Sequence, residues 1–143
     1  MKKMIKRLRC QKGVAAIEFA IVLPLLMIII FGIIEFGLLL YDKQVITNAS
    51  REGARIGISD VVVSDAEIEA VVANYVANNL ITFGSTPTPP VTTIEPANRT
   101  GMDFGEDVTV TVTYNYDFLM LPNFVADFAG VKTLATTTVM KMQ

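Results

Sequence analysis

No histidine or tryptophan occurs among the 143 residues, and there is one cysteine, Cys10. Without histidine the commonest general base and the commonest metal ligand are missing. A single cysteine excludes an intrachain disulfide, and no zinc spacing or nucleophile pair can be built on it. Phosphate-cradling patterns of the P-loop or GxGxxG kind are also absent. The acidic stretch MDFGED places Asp103, Glu106 and Asp107 close together, but it lacks the EF-hand pattern and reads as a solvated turn. These gaps weigh against an enzyme, a resident cofactor or metal, and a small-molecule substrate.

Acid is missing from the first thirteen residues, which carry Lys2, Lys3, Lys6, Arg7, Arg9 and Lys12. Everything after them holds six bases against all fourteen acids, a net charge of -8. An acidic body of this kind argues against nucleic acid as its partner. Cys10 precedes the apolar run, whereas a lipid-anchor cysteine follows one, so its thiol is read as incidental.

What the chain does have is a concentrated apolar segment. Hydrophobic residues make up 52% of the sequence and the mean hydropathy is +0.48, with the apolar content gathered between Val14 and Tyr41. Ala20 to Ile34 is fifteen residues without a charge. Extended to Leu40, the run is long enough to cross ~30 Å of hydrocarbon as a helix. The expected organisation is a basic leader over 1–13, a transmembrane helix over 14–40 and an extracytoplasmic body over 41–143. Basic residues before the span place the N-terminus in the cytoplasm. A cleaved secretory signal fits less well, because the run exceeds the usual apolar length of about 7–15 residues and no small-x-small site closes it.

Pro24 falls within the first turns of the span, where its missing N–H and its ring invite a kink. Gly32 and Gly37 are close-approach points, spaced five apart rather than the four of GxxxG. From Asp42 to Ile58 the apolar or small residues Val45, Ile46, Ala49, Gly53 and Ile56 keep a helical period, so the span is expected to continue as one long helix ending near Gly57 to Asp60. Ser64 and Glu67 form a capping box that opens a second helix, whose stripe is Ile68, Val71, Val72, Tyr75, Val76 and Leu80. Prolines make Gly84 to Pro90 a loop, and Asn98 to Gly105 contains turn residues. Strands are expected at Val91–Glu95, over the alternating run Val108–Tyr116, and from Lys132 to Met142. The apolar stretch Phe118–Phe128 reads as a loop or short helix over the sheet edge. The fold class is α+β, with a long N-terminal helix, a second amphipathic helix and a small antiparallel sheet.

One constellation stands out, KGVAAIEFAIVLPLL, in which Glu18 sits at the mouth of an apolar helix. An acid at mid-span costs ~2.5–3.5 kcal/mol and less near the interface, so a carboxylate here calls for a reason. One reading is an interfacial glutamate reaching water. The other comes from resemblance: a lysine, a glycine and a glutamate five residues later, ahead of a hydrophobic helix, is similar to the processing site of type IV prepilins. That resemblance implies cleavage by prepilin peptidase after Gly13, a new N-terminus at Val14, and a Glu18 that meets the N-terminal amine of a neighbouring subunit.

Phe19 after the glutamate, often Tyr in the Flp pilins, and the segment TNASREGARIG resemble the TadE-like family of the Tad (tight adherence) pilus system. Thr47, Ala49, Arg51, Glu52, Gly53, Ala54 and Arg55 match its helical motif. The resemblance implies a minor pseudopilin in the inner membrane. Its partners would be the peptidase, other pilins or pseudopilins and the Tad inner-membrane platform proteins. Glu18 and Phe19 would serve assembly.

The pair Glu52 and Arg55, at i and i+3, has a plain reading as a surface ion pair. The other reading is a subunit contact just above the membrane formed by Arg51, Glu52, Gly53 and Arg55. Glu35, roughly 25 Å along the helix from Glu18, is read as solvated near the outer interface, with pairing to a partner subunit as the alternative. The competing function is an unprocessed single-pass anchor whose outer domain binds a ligand or protein.

Overall fold

In a computed structural model the described residues are 2–59, 63–82, 88–97, 105–119 and 132–142. The expected proline-rich loop up to Pro87, the turn from Asn98 to Phe104 with Asp103, and the apolar stretch from Met120 to Phe128 lie outside them. Two helices, α1 (Lys2–Gly57) and α2 (Asp65–Asn79), precede three strands, β1 (Val91–Glu95), β2 (Asp107–Tyr116) and β3 (Lys132–Lys141). The α+β arrangement, with helices before strands, is the one expected from the sequence.

Helix α1 is 56 residues long and runs through Pro24 without a break in its assignment. It starts about a dozen residues before the expected span because the leader, rich in Lys, Arg, Met, Leu and Gln, favours helix throughout. Its residues from Gly13 to Ile34 are exposed or only partly covered, and the most apolar window has a mean hydropathy of 2.8 with none of it buried. The same helix becomes amphipathic beyond that point. Val45, Ile46, Ala49, Gly53 and Ala54 are buried while Gln44, Arg51 and Arg55 are exposed.

Helix α2 begins as its capping box dictates. Ser64 Oγ accepts from the Glu67 N–H, and Glu67 accepts from the Ser64 N–H at 2.9 Å. Ile68, Val72 and Val76, spaced four apart, are its buried face. They pack on α1 and on β2, whose alternation buries Val108, Val110, Val112, Tyr114 and Tyr116 and turns the intervening threonines outward.

The sheet is antiparallel in the order β1-β2-β3, with Thr111 opposite both Thr93 and Thr137. Both helices lie on its apolar face. Gly105, at φ 92°, opens β2 in a backbone conformation that suits glycine, and its N–H donates to the Met142 carbonyl.

Tight packing of α1 rests on its glycines. A Cβ at Gly53 would lie 2.8 Å from Val72 Cγ2 and 3.3 Å from Ile68 Cγ2, and one at Gly57 would lie 3.2 Å from Val108 Cγ1. Among the described residues nothing lies within 4 Å of a Cβ placed at Gly32 or Gly37.

Candidate functional site

The residues singled out by sequence fall into three zones along α1. The first is the bare helix, where Gly13, Val14, Glu18 and Phe19 are all exposed. Val14 is 56% and Phe19 61% exposed. A hydrophobic helix so uncovered is stable only in lipid or against other helices.

The second zone is a collar where the body first touches the helix, and the sequence reading missed it. Glu35 is not solvated: it is 2% exposed. Its Oε1 accepts from the Tyr116 hydroxyl at 2.6 Å and from the Leu119 N–H at 2.8 Å. A carboxylate left at this depth without donors would be costly, and the end of β2 supplies them. Burial, and then the hydrogen bond to Glu35, push the Tyr116 hydroxyl well above its ordinary range, so it remains a donor.

Two turns along the same face, Asp42 is also 2% exposed. Its carboxyl accepts from the Ile81 backbone, yet Oδ1 is buried with no hydrogen-bond partner among the described residues. Desolvation first, and the nearby Glu35 after it, raise the Asp42 carboxyl from 3.8 to about 6. The only sequence signal for this zone was the seven-residue interval between two acids on an otherwise apolar face. Edge-to-face packing of Tyr116 on Phe118, with centroids 5.8 Å apart, completes the collar.

Above it, a polar seam ties α1 to β3. Thr47 Oγ1 donates to Thr136 Oγ1 at 3.4 Å, and Ser50 Oγ lies 2.7 Å from Thr138 Oγ1. Lys43 Nζ donates to the Ala135 carbonyl at the outer edge of β3.

The third zone is the ridge of Arg51, Glu52 and Arg55. Arg55 grips Glu52 with two bonds, Nη2 to Oε1 at 2.5 Å and Nε to Oε2 at 3.0 Å. This pairing lowers the Glu52 carboxyl below its ordinary value. Gly53 is buried, and a Cβ there would meet Val72 and Ile68 of the chain's own second helix.

Among the described residues no three His, Cys, Asp or Glu side chains gather as metal ligands. The collar acids accept hydrogen bonds and hold two elements together.

Residues 13–55 match the family described as TadE-like protein. That stretch covers the bare helix, the collar acids and the ridge, and it stops before α2. No curated protein and no solved structure matches the chain.

Proposed function

We propose that this chain, whose residues 13–55 match the TadE-like family, is a minor pseudopilin of a Tad-type pilus, made as a precursor and trimmed after Gly13 by prepilin peptidase. The observation that carries the reading is the bare apolar helix joined, without a break, to a compact body that leaves it uncovered below Glu35. Val14 to Ile34 is twenty-one residues, about 30 Å of helix, which matches the hydrocarbon thickness. The span is therefore taken as 14–34 rather than 14–40, and the body starts at the collar. The basic leader lies in the cytoplasm and the acidic body outside it, in a single-pass topology across the inner membrane.

After cleavage Val14 carries a free amine four residues before Glu18. A glutamate exposed at the start of an apolar helix is stabilised once a neighbouring subunit brings such an amine into the same low-dielectric layer. Assembly is thus helix-to-helix, and Gly32, with nothing within 4 Å among the described residues, offers backbone approach for that packing. Arg51, Glu52 and Arg55 present a charged ridge to other pilins or to the platform proteins. The role is structural and not catalytic.

The test is intact mass and N-terminal sequencing of membrane-extracted protein, with and without active prepilin peptidase. A peptidase-dependent start at Val14 supports the precursor reading. A chain beginning at Met1 under both conditions overturns it and favours an uncut anchor with a binding domain outside.

A further inference from the structure

The two edges of the sheet are not alike. Met142 N–H donates to the Glu106 carbonyl at 2.8 Å, and Gly105 N–H donates to the Met142 carbonyl at 3.0 Å. Even-numbered residues of β3 therefore turn their backbone groups towards β2, and odd-numbered ones turn theirs outward. The Ala135 carbonyl, on that outer edge, is taken by Lys43 of α1.

Through the register, Thr109, Thr111 and Thr113 of β2 face Glu95, Thr93 and Val91 of β1. The N–H and C=O groups of Thr92 and Ile94 are left pointing out of the sheet. Neither residue has a backbone partner there among the described residues. An edge of this kind is a template for one more strand unless something blunts it.

Beside that edge runs an open groove of about 440 Å³ lined by Ala66, Glu69, Ala70, Ala73, Pro90 and Thr92, with Val91 at its end. Three alanines of α2 keep its wall low. The charge is of one sign: α2 and β1 together contain Asp65, Glu67, Glu69 and Glu95 and no Lys or Arg. Two copies meeting edge to edge would bring these acids together, so the edge is protected against itself while staying open to a cation.

We propose that the β1 edge and its groove bind an extended basic segment of a partner protein, which adds a fourth strand to the sheet. Backbone bonds to Thr92 and Ile94 supply the pairing. Alternate side chains of the guest point to the helix side. A lysine or arginine there lays its apolar stem along Ala66, Ala70 and Ala73 and brings its charge to Glu69. This docking does not depend on whether Gly13 is cut.

The experiment is amide hydrogen exchange by NMR on the full chain in detergent micelles, with an eight-residue alternating Lys-Val peptide as probe and its Glu-Val counterpart as control. The Lys-Val peptide is expected to slow exchange at Thr92 and Ile94 by about tenfold or more, and the Glu-Val peptide to leave both unchanged. Thr92→Pro, which removes an outward N–H without touching the ladder to β2, should abolish the protection. Should that variant fail to fold, Glu69→Lys at an exposed helix position still decides the matter through a weakening of about tenfold. Equal protection by both peptides, protection confined to β3 or the outer threonines, or no protection at all overturns the proposal. So does concentration-dependent protection of Thr92 and Ile94 without any peptide, which would make the occupant a second copy.

Discussion

The Tyr116 hydroxyl donates to Glu35 Oε1 at 2.6 Å across 81 positions of sequence. This bond joins the last residue of β2 to Glu35, the first buried residue of α1 after its bare apolar stretch. With the Leu119 N–H on the same oxygen, it fixes the height at which the body rides on its helix.

Tyr116→Phe removes the hydroxyl donor to Glu35 Oε1 and leaves the buried side chain less well satisfied. Bonds to charged groups are worth ~1.5–3 kcal/mol, so the body should lose about 2 kcal/mol of stability. Denaturant unfolding in micelles, followed by tyrosine and amide signals of the body, measures it. Glu35→Gln should cost less, because the neutral amide still accepts from both donors and sheds the charge. A Phe variant as stable as the parent would remove the collar from the fold's energetics.

Asp42, seven residues after Glu35, carries a buried oxygen without a hydrogen-bond partner among the described residues. Its folded carboxyl titrates at about 6 against an ordinary 3.8. In the unfolded chain the proton leaves first, so the stability of the body falls as the pH rises from about 3.8 to about 6, and the loss is complete above that range. Asp42→Asn is therefore expected to stabilise the body by ~1–3 kcal/mol at pH 7.5, less where water reaches the carboxyl. At pH 4 it should have little effect. Parallel unfolding curves at the two pH values check this, and a gain of equal size at both would rule out the carboxylate as its cause.

At Gly53 a methyl group gains about 1 kcal/mol of helix propensity. The new Cβ, however, meets Val72 Cγ2 at 2.8 Å, and overpacking of a β-branched neighbour costs ~1–3 kcal/mol. Gly53→Ala should be mildly destabilising and Gly53→Leu strongly so. Gly32→Ala, with nothing within 4 Å of its Cβ position among the described residues, should leave the body unchanged in thermal unfolding while altering self-association in the membrane.

Ser64→Ala removes the side chain that accepts from the Glu67 N–H and donates to its carboxylate. The expected cost is ~1 kcal/mol, typical of an N-cap. Exchange rates of the first-turn amides of α2 should rise before those of Val72 and Val76, which would localise the loss to the helix start.

The ridge separates stability from assembly. Arg55 is 68% exposed at its side chain, and water screens a pair of this kind so that it contributes little. Arg55→Glu should barely change unfolding. A pilus or complex that assembles normally with Arg51→Glu and Arg55→Glu together would exclude the ridge as a contact.

Much of this was legible in the residues themselves because the signals are local. A charge-free run of span length, a capping box three residues wide and a nine-residue alternation each report on nearest neighbours along the chain, and the elements appeared where those signals put them. The motif KGVAAIEF and the TNASREGARIG segment pointed to the family that residues 13–55 match. The surroundings of Glu35 and Gly53 were not legible for one shared reason. Whether an acid on a helix meets water or a tyrosine, and whether a glycine faces a neighbouring subunit or the chain's own α2, depends on which face the rest of the chain covers. No local pattern carries that, since Tyr116 and Val72 reach α1 only after the sheet and second helix have folded back on it. The sequence by itself determined the long apolar helix, the start of α2 and the strand alternation, all fixed by periodicity and solvent preference. Only the tertiary structure decided where the body grips the helix, which acids lose water and which sheet edge stays open, because those follow from long-range packing.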